Sequence, residues 1–333
     1  MTNSALTAQT SRPATHYAPG STKNHHKSRY PIMTIRNIPA APEVTRRSGV
    51  QSDISPRALE SWNPAIRAAS EKASDNVITI YEQIGYDWWT GEGVTAKRIA
   101  AALRSIGPGN DVVVNINSPG GDVFEGLAIY NLLREHDGGV TVNIVGLAAS
   151  AASFIAMSGD DIRIGRAAFF MIHNAWVFAA GNRNDLRDIA DWLEPFDTTI
   201  ADIYSTRTGI EQNEVMPMMD SEKWIGGKEA VDSGWADDFL NSDLISQEDS
   251  DESDSKKAAA KLDSALVRAG ISRSERKTLM QDFKSSMTSS AGGGKPSATA
   301  TDKPGAVAHA VSASLSEAKK SLNSVIEEIS HER

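Results

Sequence analysis

The sequence predicts an α/β fold with a mostly parallel sheet, and three observations carry that prediction. β-Branched runs of strand length, such as VITIYEQIG, DVVVNIN, VTVNIVG and DIRIG, recur along the chain. Stretches with apolar residues at helical spacing fall between them. Glycine-rich breaks, such as Gly107-Pro108 and SPGG at 118–121, mark the changes of texture. Strands that alternate with helices are joined by crossovers, and crossovers make a sheet parallel.

The elements follow in order from residue 76. VITIYEQIG reads as a strand, and VTAKRIAAALRSIG as a helix stopped by Gly107-Pro108. DVVVNIN is a strand. SPGGDVFEGLAIYNLLREHDGG is a glycine turn and a helix with Val123, Leu127, Ile129, Tyr130, Leu132 and Leu133 on its apolar face. VTVNIVG is the next strand and AASAASFIAMSG the next helix; DIRIG and AAFFMIHNA are short strands. Residues 184–208 form a long helical stretch that Pro195 should kink or interrupt. EQNEVMPMMD is a short helix, and KWIGGKEAVDSGWADDFL a helix and a last strand, so the ordered domain spans 74–242.

Both ends read differently. Residues 1–73 are rich in Ser, Thr, Pro, Ala and Asn, which predicts a flexible arm with at most a short helix near 65–73. KNHHKSR within it, with His25 and His26, reads as a solvated basic segment rather than a metal site. Residues 243–333 read as an acidic linker, QEDSDESDS, followed by a helical and low-complexity tail. Residues 256–287 are helical in two pieces, with Ser272 and Glu275 at capping-box spacing. TSSAGGGKPSATATDKPG is a flexible linker. In a last amphipathic helix over 311–329, Leu315, Leu322 and Ile329 recur every seven residues, a seam too short to be stable alone, which reads equally as a marginal helix or as an assembly or partner helix.

Bulk properties exclude some classes. The net charge of −9 disfavours nonspecific binding to nucleic acid or anionic membrane. There is no cysteine, hence no disulfide, thiolate metal site or cysteine nucleophile. The start MTNSALTAQTSRP lacks the apolar core of a secretory leader. Residues 140–157 carry no charge, but their opening alternation VTVNIV argues for a strand rather than a membrane helix.

The chemistry candidates begin with Ser150, at the end of GLAAS, where a strand turns into a helix. Such a turn projects the side chain outward and aims free helix N–H groups at any developing negative charge. A serine needs a base, and of seven histidines only His173, in MIHN, is embedded in strand-rich core sequence. Gly120 and Gly121 in SPGG leave backbone N–H groups open to a ligand. Asp220 and Glu222, in MMDSEKW, are the carboxylates available to orient the base.

The order NINSPGG, EGLAIYNLL, GLAAS, MIHN, an acidic loop, then W-x-x-x-x-EAV-x-x-G-x-A-D resembles the Clp protease proteolytic subunit family over residues 77–240. Phage and prophage members that act in head maturation are the most similar type. The resemblance implies a ClpP/crotonase-type spiral of repeated ββα units. It implies Ser150 as nucleophile, His173 as general base, and Gly120, Gly121 and the Ala151 N–H as oxyanion hole. The family's third residue is an Asp; the matching position here is Glu222, with Asp220 two residues earlier as the other candidate. Ala151 is smaller than the family's usual residue. The stretch 184–208 resembles the helix that stacks the family's rings face to face.

The resulting expectation is a serine endopeptidase without cofactor or metal, acting as a homo-oligomeric ring in the host cytoplasm or the prohead. Its substrates would be capsid or scaffold proteins and its own ends. No sequence feature points to an ATPase partner, and neither nucleic acid nor membrane is expected as one. Two other readings stand beside it. A crotonase-type acyl-CoA enzyme shares the fold but needs no nucleophilic serine. A noncatalytic scaffold would use the tail helices.

Overall fold

The computed structural model describes residues 50–69, 75–87, 93–241, 244–247 and 251–291. The expected basic segment around His25 and His26, the linker beyond 291 and the heptad helix over 311–329 lie outside the described residues. The chain divides into two units, Met1–Gln281 and Asp282–Arg333, and the sheet lies in the first.

Order begins earlier than the composition suggests. Strand β1 (Gln51–Ser52), helix α1 (Pro56–Ser61) and strand β2 (Ile66–Ala68) all fall in the expected arm, and β2 stands where a helix was expected. Proline in the first turn suits α1, because that N–H would have no partner anyway. Ile54, Ala58, Leu59 and Trp62 are buried together with Leu147, Ala149 and Met171. The Trp62 indole donates to the Asn117 carbonyl at 2.9 Å. Asn117 Nδ2 in turn donates to the carbonyls of Asn63 and Ile66. Few apolar residues scattered among polar ones show no period, so this face becomes visible only against the sheet that it covers.

The central layers follow the predicted alternation: β3 (Val77–Ile80), the ribbon β4 (Gly85–Tyr86) and β5 (Gly93–Val94), α2 (Ala96–Ile106), β6 (Val112–Ser118), α3 (Val123–Arg134), β7 (Val140–Ala149), α4 (Ala151–Ala156), β8 (Asp161–Ile164) and β9 (Phe169–Ile172). Thr95 caps α2, and the Asp122 carboxylate accepts from the N–H groups of Phe124 and Glu125 to start α3. Residues 140–157 are thus a strand and a short helix. No described helix is long and apolar enough to cross a membrane.

Next come β10 (Val177–Phe178), α5 (Arg183–Thr208), α6 (Gln212–Asp220), β11 (Lys223–Gly226), α7 (Gly227–Asp232), β12 (Asp238–Phe239) and β13 (Ile245–Gln247). Pro195 does not interrupt α5, which runs unbroken between an Asn182–Asp185 capping box and a left-handed Gly209. Buried Phe196, Ile200, Ile203 and Tyr204 hold the second half of α5 on the core, which outweighs one missing hydrogen bond.

The main sheet runs β11-β9-β7-β6-β3, with β8 and β12 off that path. All its pairs are parallel except β11 with β9. The ten-residue β7 serves two neighbours on one side: Thr141 to Ile144 pair with β8, and Leu147 to Ala149 with β9. That fork carries the end of β7 to the start of β9's partner residues, where Ser150 sits. Strand β6 is buried almost throughout, as a parallel strand covered on both faces must be.

The order also continues past Leu240. β13 pairs antiparallel with β2, and helices α8 (Asp251–Arg268) and α9 (Arg273–Ala291) follow. The acidic residues from 251 onward are the beginning of α8 rather than linker. The Ser272–Glu275 capping box forms as expected, with Ser272 N–H donating to Glu275 Oε2 at 3.0 Å.

Candidate active site

Sheet register assembles the site. Ala149 pairs with Met171, so the next step along β7 and β9 brings Ser150 alongside the end of β9. Lys223 pairs with Ile172, so one step further along antiparallel β11 and β9 sets Glu222 across from His173. Three positions far apart in sequence thus meet at one end of the sheet.

Ser150 occupies a strained turn, with φ 52° and ψ −122°. Its N–H donates to the Met171 carbonyl at 2.8 Å, and its carbonyl accepts from Ser153 Oγ at 2.5 Å. Ser153 Oγ also meets the buried Tyr204 hydroxyl at 2.7 Å, and Tyr204 packs on Trp235. These contacts hold the turn from both sides. The only other described residue with positive φ that is not glycine is Glu222, also at 52°. Such backbone persists where surrounding structure over-determines it, and it clusters at functional sites.

His173 Nε2 lies 2.7 Å from Ser150 Oγ. Burial lowers its pKa below the usual 6.5, and the Glu222 charge partly offsets that. Neutral imidazole, the form that accepts a proton, is therefore favoured.

The turn opposite Ser150 is built by glycines. A Cβ on Gly120 would come within 2.6 Å of both Ala149 O and Ser150 Cβ. One on Gly121 would come within 2.2 Å of Ile84 O. Ser118 Oγ pins this turn, donating to the Glu82 carbonyl at 2.5 Å and accepting from Gly120 N–H at 3.2 Å. Gly121 and Ala151 line the cleft beside Ser150 and His173. Among the described residues neither of their N–H groups has a hydrogen-bond partner. Two free N–H groups facing one cleft can stabilise a developing oxyanion.

The carboxylates separate. Glu222 accepts from Ser55 Oγ at 3.1 Å and from the Trp224 indole at 3.4 Å, with Arg57 3.6 Å away. Asp220 accepts from Asn174 Nδ2 at 2.7 Å. Neither hydrogen-bonds the His173 ring, but Glu222 is the one whose charge reaches it. Sequence reasoning missed Asp53, which lines the same cleft from the supposed arm, and Ser55. No sequence signal pointed to them: the apolar residues around Trp62 show no period, and their burial appears only in the fold. Among the described residues no group of three or more His, Asp or Glu side chains is gathered to hold a metal.

The family model for Clp protease matches residues 68–243, just over half the chain. The chain belongs to the Clp protease family. An ATP-dependent Clp protease proteolytic subunit of Bacteroides fragilis is 29% identical over 170 residues, covering 50% of this chain and 79% of that protein. Proteolytic subunit 1 of Prochlorococcus marinus strain MIT 9312 is 30% identical over 181 residues, 50% of this chain and 91% of its own. Subunit 3 of Streptomyces coelicolor is 28% identical over 197 residues, 56% and 87% respectively. Membership makes the chain a serine-type peptidase of ClpP-like α/β fold, and it does not favour the thioester-enzyme reading.

Proposed function

We propose that Ser150 is the nucleophile of an endopeptidase and His173 its general base. The observation that carries this reading is the 2.7 Å contact between them on a strained strand-to-helix turn. His173 takes the Ser150 proton as Oγ attacks the peptide carbonyl. The N–H groups of Gly121 and Ala151, with Gly120 shaping the turn, receive the oxyanion. His173 then protonates the leaving amine, and water hydrolyses the acyl-enzyme. Glu222 is the preferred third residue, acting through charge, and Asp220 the alternative.

The substrates we propose are capsid or scaffold proteins and the chain's own ends, in phage head maturation, within host cytoplasm or prohead. The working form is a homo-oligomeric ring, and the functional unit extends beyond residues 74–242 at both ends. These readings rest on the resemblance, on the relatives' names and on the long polar tail. Treatment with a serine-directed fluorophosphonate followed by intact mass tests the chemistry. One adduct mapped to Ser150 and lost in Ser150→Ala and His173→Ala is expected. No adduct on Ser150 in folded wild type or in Arg268→Ala refutes the assignment. The same spectra show whether wild type trims its ends while Ser150→Ala does not, and native mass reads the ring.

A further inference from the structure

This inference rests on the peptidase reading and concerns what covers Ser150. Residues 50–55 lie outside the stretch that matches the family. β1 pairs antiparallel with β10, Gln51 opposite Phe178 and Ser52 opposite Val177. The edge of β10 begins four residues after His173, so it borders the cleft. The next residue, Asp53, is 5% exposed and lines the cleft together with Ser150, His173, Ala151 and Gly121. Ile54 is fully buried, and Ser55 holds the Glu222 carboxylate. The space left at Ser150 is about 10 Å³, on the scale of one water molecule. Asp53 thus narrows the room beside the serine for a peptide backbone.

The C-terminal helices grip this segment from outside. Asp53 Oδ2 accepts from Ser264 Oγ at 3.1 Å and from Arg268 Nε at 3.3 Å. Arg276 Nη1 donates to Gln51 Oε1 at 2.8 Å, and Gln51 Nε2 donates to the Ile271 carbonyl at 3.4 Å. The Arg268 guanidinium lies 5.8 Å from the ring centre of Trp176, another cleft residue.

We propose that residues 50–55 form an autoinhibitory strap over the serine, latched by α8 and α9, which must lift before a polypeptide can enter. An exposed strand edge accepts extended chain through main-chain hydrogen bonds, and here the chain's own residues fill it. The latch is polar and partly solvated, since the Arg268 side chain is 40% exposed. The solvated Arg268 end of that pair is where a competing interaction can shift the closed fraction. Turnover is proportional to the open fraction.

The absence of cysteine supplies a clean test. Ser52→Cys with Val177→Cys, in the full-length assembled protein, places one thiol pair at directly opposed positions. Intact mass verifies the cross-link. Cleavage of a fluorescein-labelled unfolded polypeptide is measured oxidised and reduced, beside wild type and Arg268→Ala. Oxidation is expected to cut the rate about tenfold or more, reduction to restore it, and Arg268→Ala to exceed wild type several-fold, as population shifts of this size require. Activity only in Arg268→Ala also supports the strap. A cross-linked enzyme as fast as its reduced form, or Arg268→Ala no faster than wild type, overturns the strap and leaves the peptidase reading intact. No cleavage and no fluorophosphonate adduct on Ser150 in any form overturns the peptidase reading, and the strap with it.

Discussion

The sheet core and the clasp around it are held by different physics. In the core, buried apolar side chains from successive strands and helices pack on near neighbours in the fold, and register does the positioning. In the clasp, residues 50–69 meet α8 and α9 across about two hundred positions of sequence, mostly through polar and charged groups. Arg268 and Ser264 reach Asp53, Arg276 reaches Gln51, and Lys257 donates to the carbonyls of Glu60 and Trp62. Ile54, Ala58, Leu59 and Trp62, with Ala260 of α8 packed against them, give the clasp an apolar anchor. The core is therefore a stable frame for Ser150, the proposed nucleophile, and the clasp the part proposed to open.

The largest expected effect falls on the core alone. Ser150→Ala should lower kcat by about 10⁶-fold at unchanged melting temperature, because the turn is held by backbone contacts that survive the loss of Oγ. A stopped assay with labelled polypeptide, paired with calorimetry, checks both halves. Next is the anchor that joins the two regions. Trp62→Ala should cost about 3–5 kcal/mol, as for any fully buried tryptophan, and expose the cleft. If denaturant melts show a loss below about 1 kcal/mol, the clasp is not part of the cooperative unit, and the contrast sharpens into two independently folding pieces.

A third test asks which carboxylate serves His173. Glu222→Gln should lower kcat/KM by about 10²-fold. The acid limb of its pH profile should also move further below 6.5, since removing a negative charge makes the imidazolium harder to form. Asp220→Asn should leave that limb in place; a shift there instead would transfer the role to Asp220. The smallest effect concerns Asp197, beside the loop that follows His173. It accepts the Ala175 N–H at 2.6 Å, and burial pushes its pKa up from 3.8 to about 6. The folded state keeps this proton to higher pH than the unfolded chain does, so stability falls as pH rises from about 4 to about 6 and stays at the lower level above that. Asp197→Asn should stabilise by about 1 kcal/mol at pH 8, after discounting for solvent screening, and by almost nothing near pH 4. Thermal melts at the two pH values decide it.

Sequence alone determined the alternation of strands and helices, because apolar periodicity reports which faces are buried wherever neighbouring elements are close in the chain. It also singled out Ser150, His173 and the Gly120-Gly121 turn, since few residue types suit a projecting nucleophile, its base and a close backbone approach. The 2.7 Å meeting of Ser150 and His173 was beyond it, because the fork of β7 between β8 and β9 is a register relation with no local signature. Register also set Glu222, rather than Asp220, opposite His173. Only the tertiary structure revealed that Asp53 reaches the cleft and that α8 holds it there. Contacts between hydrophilic ends leave no period to read, and they come into being when the folded sheet brings those ends together.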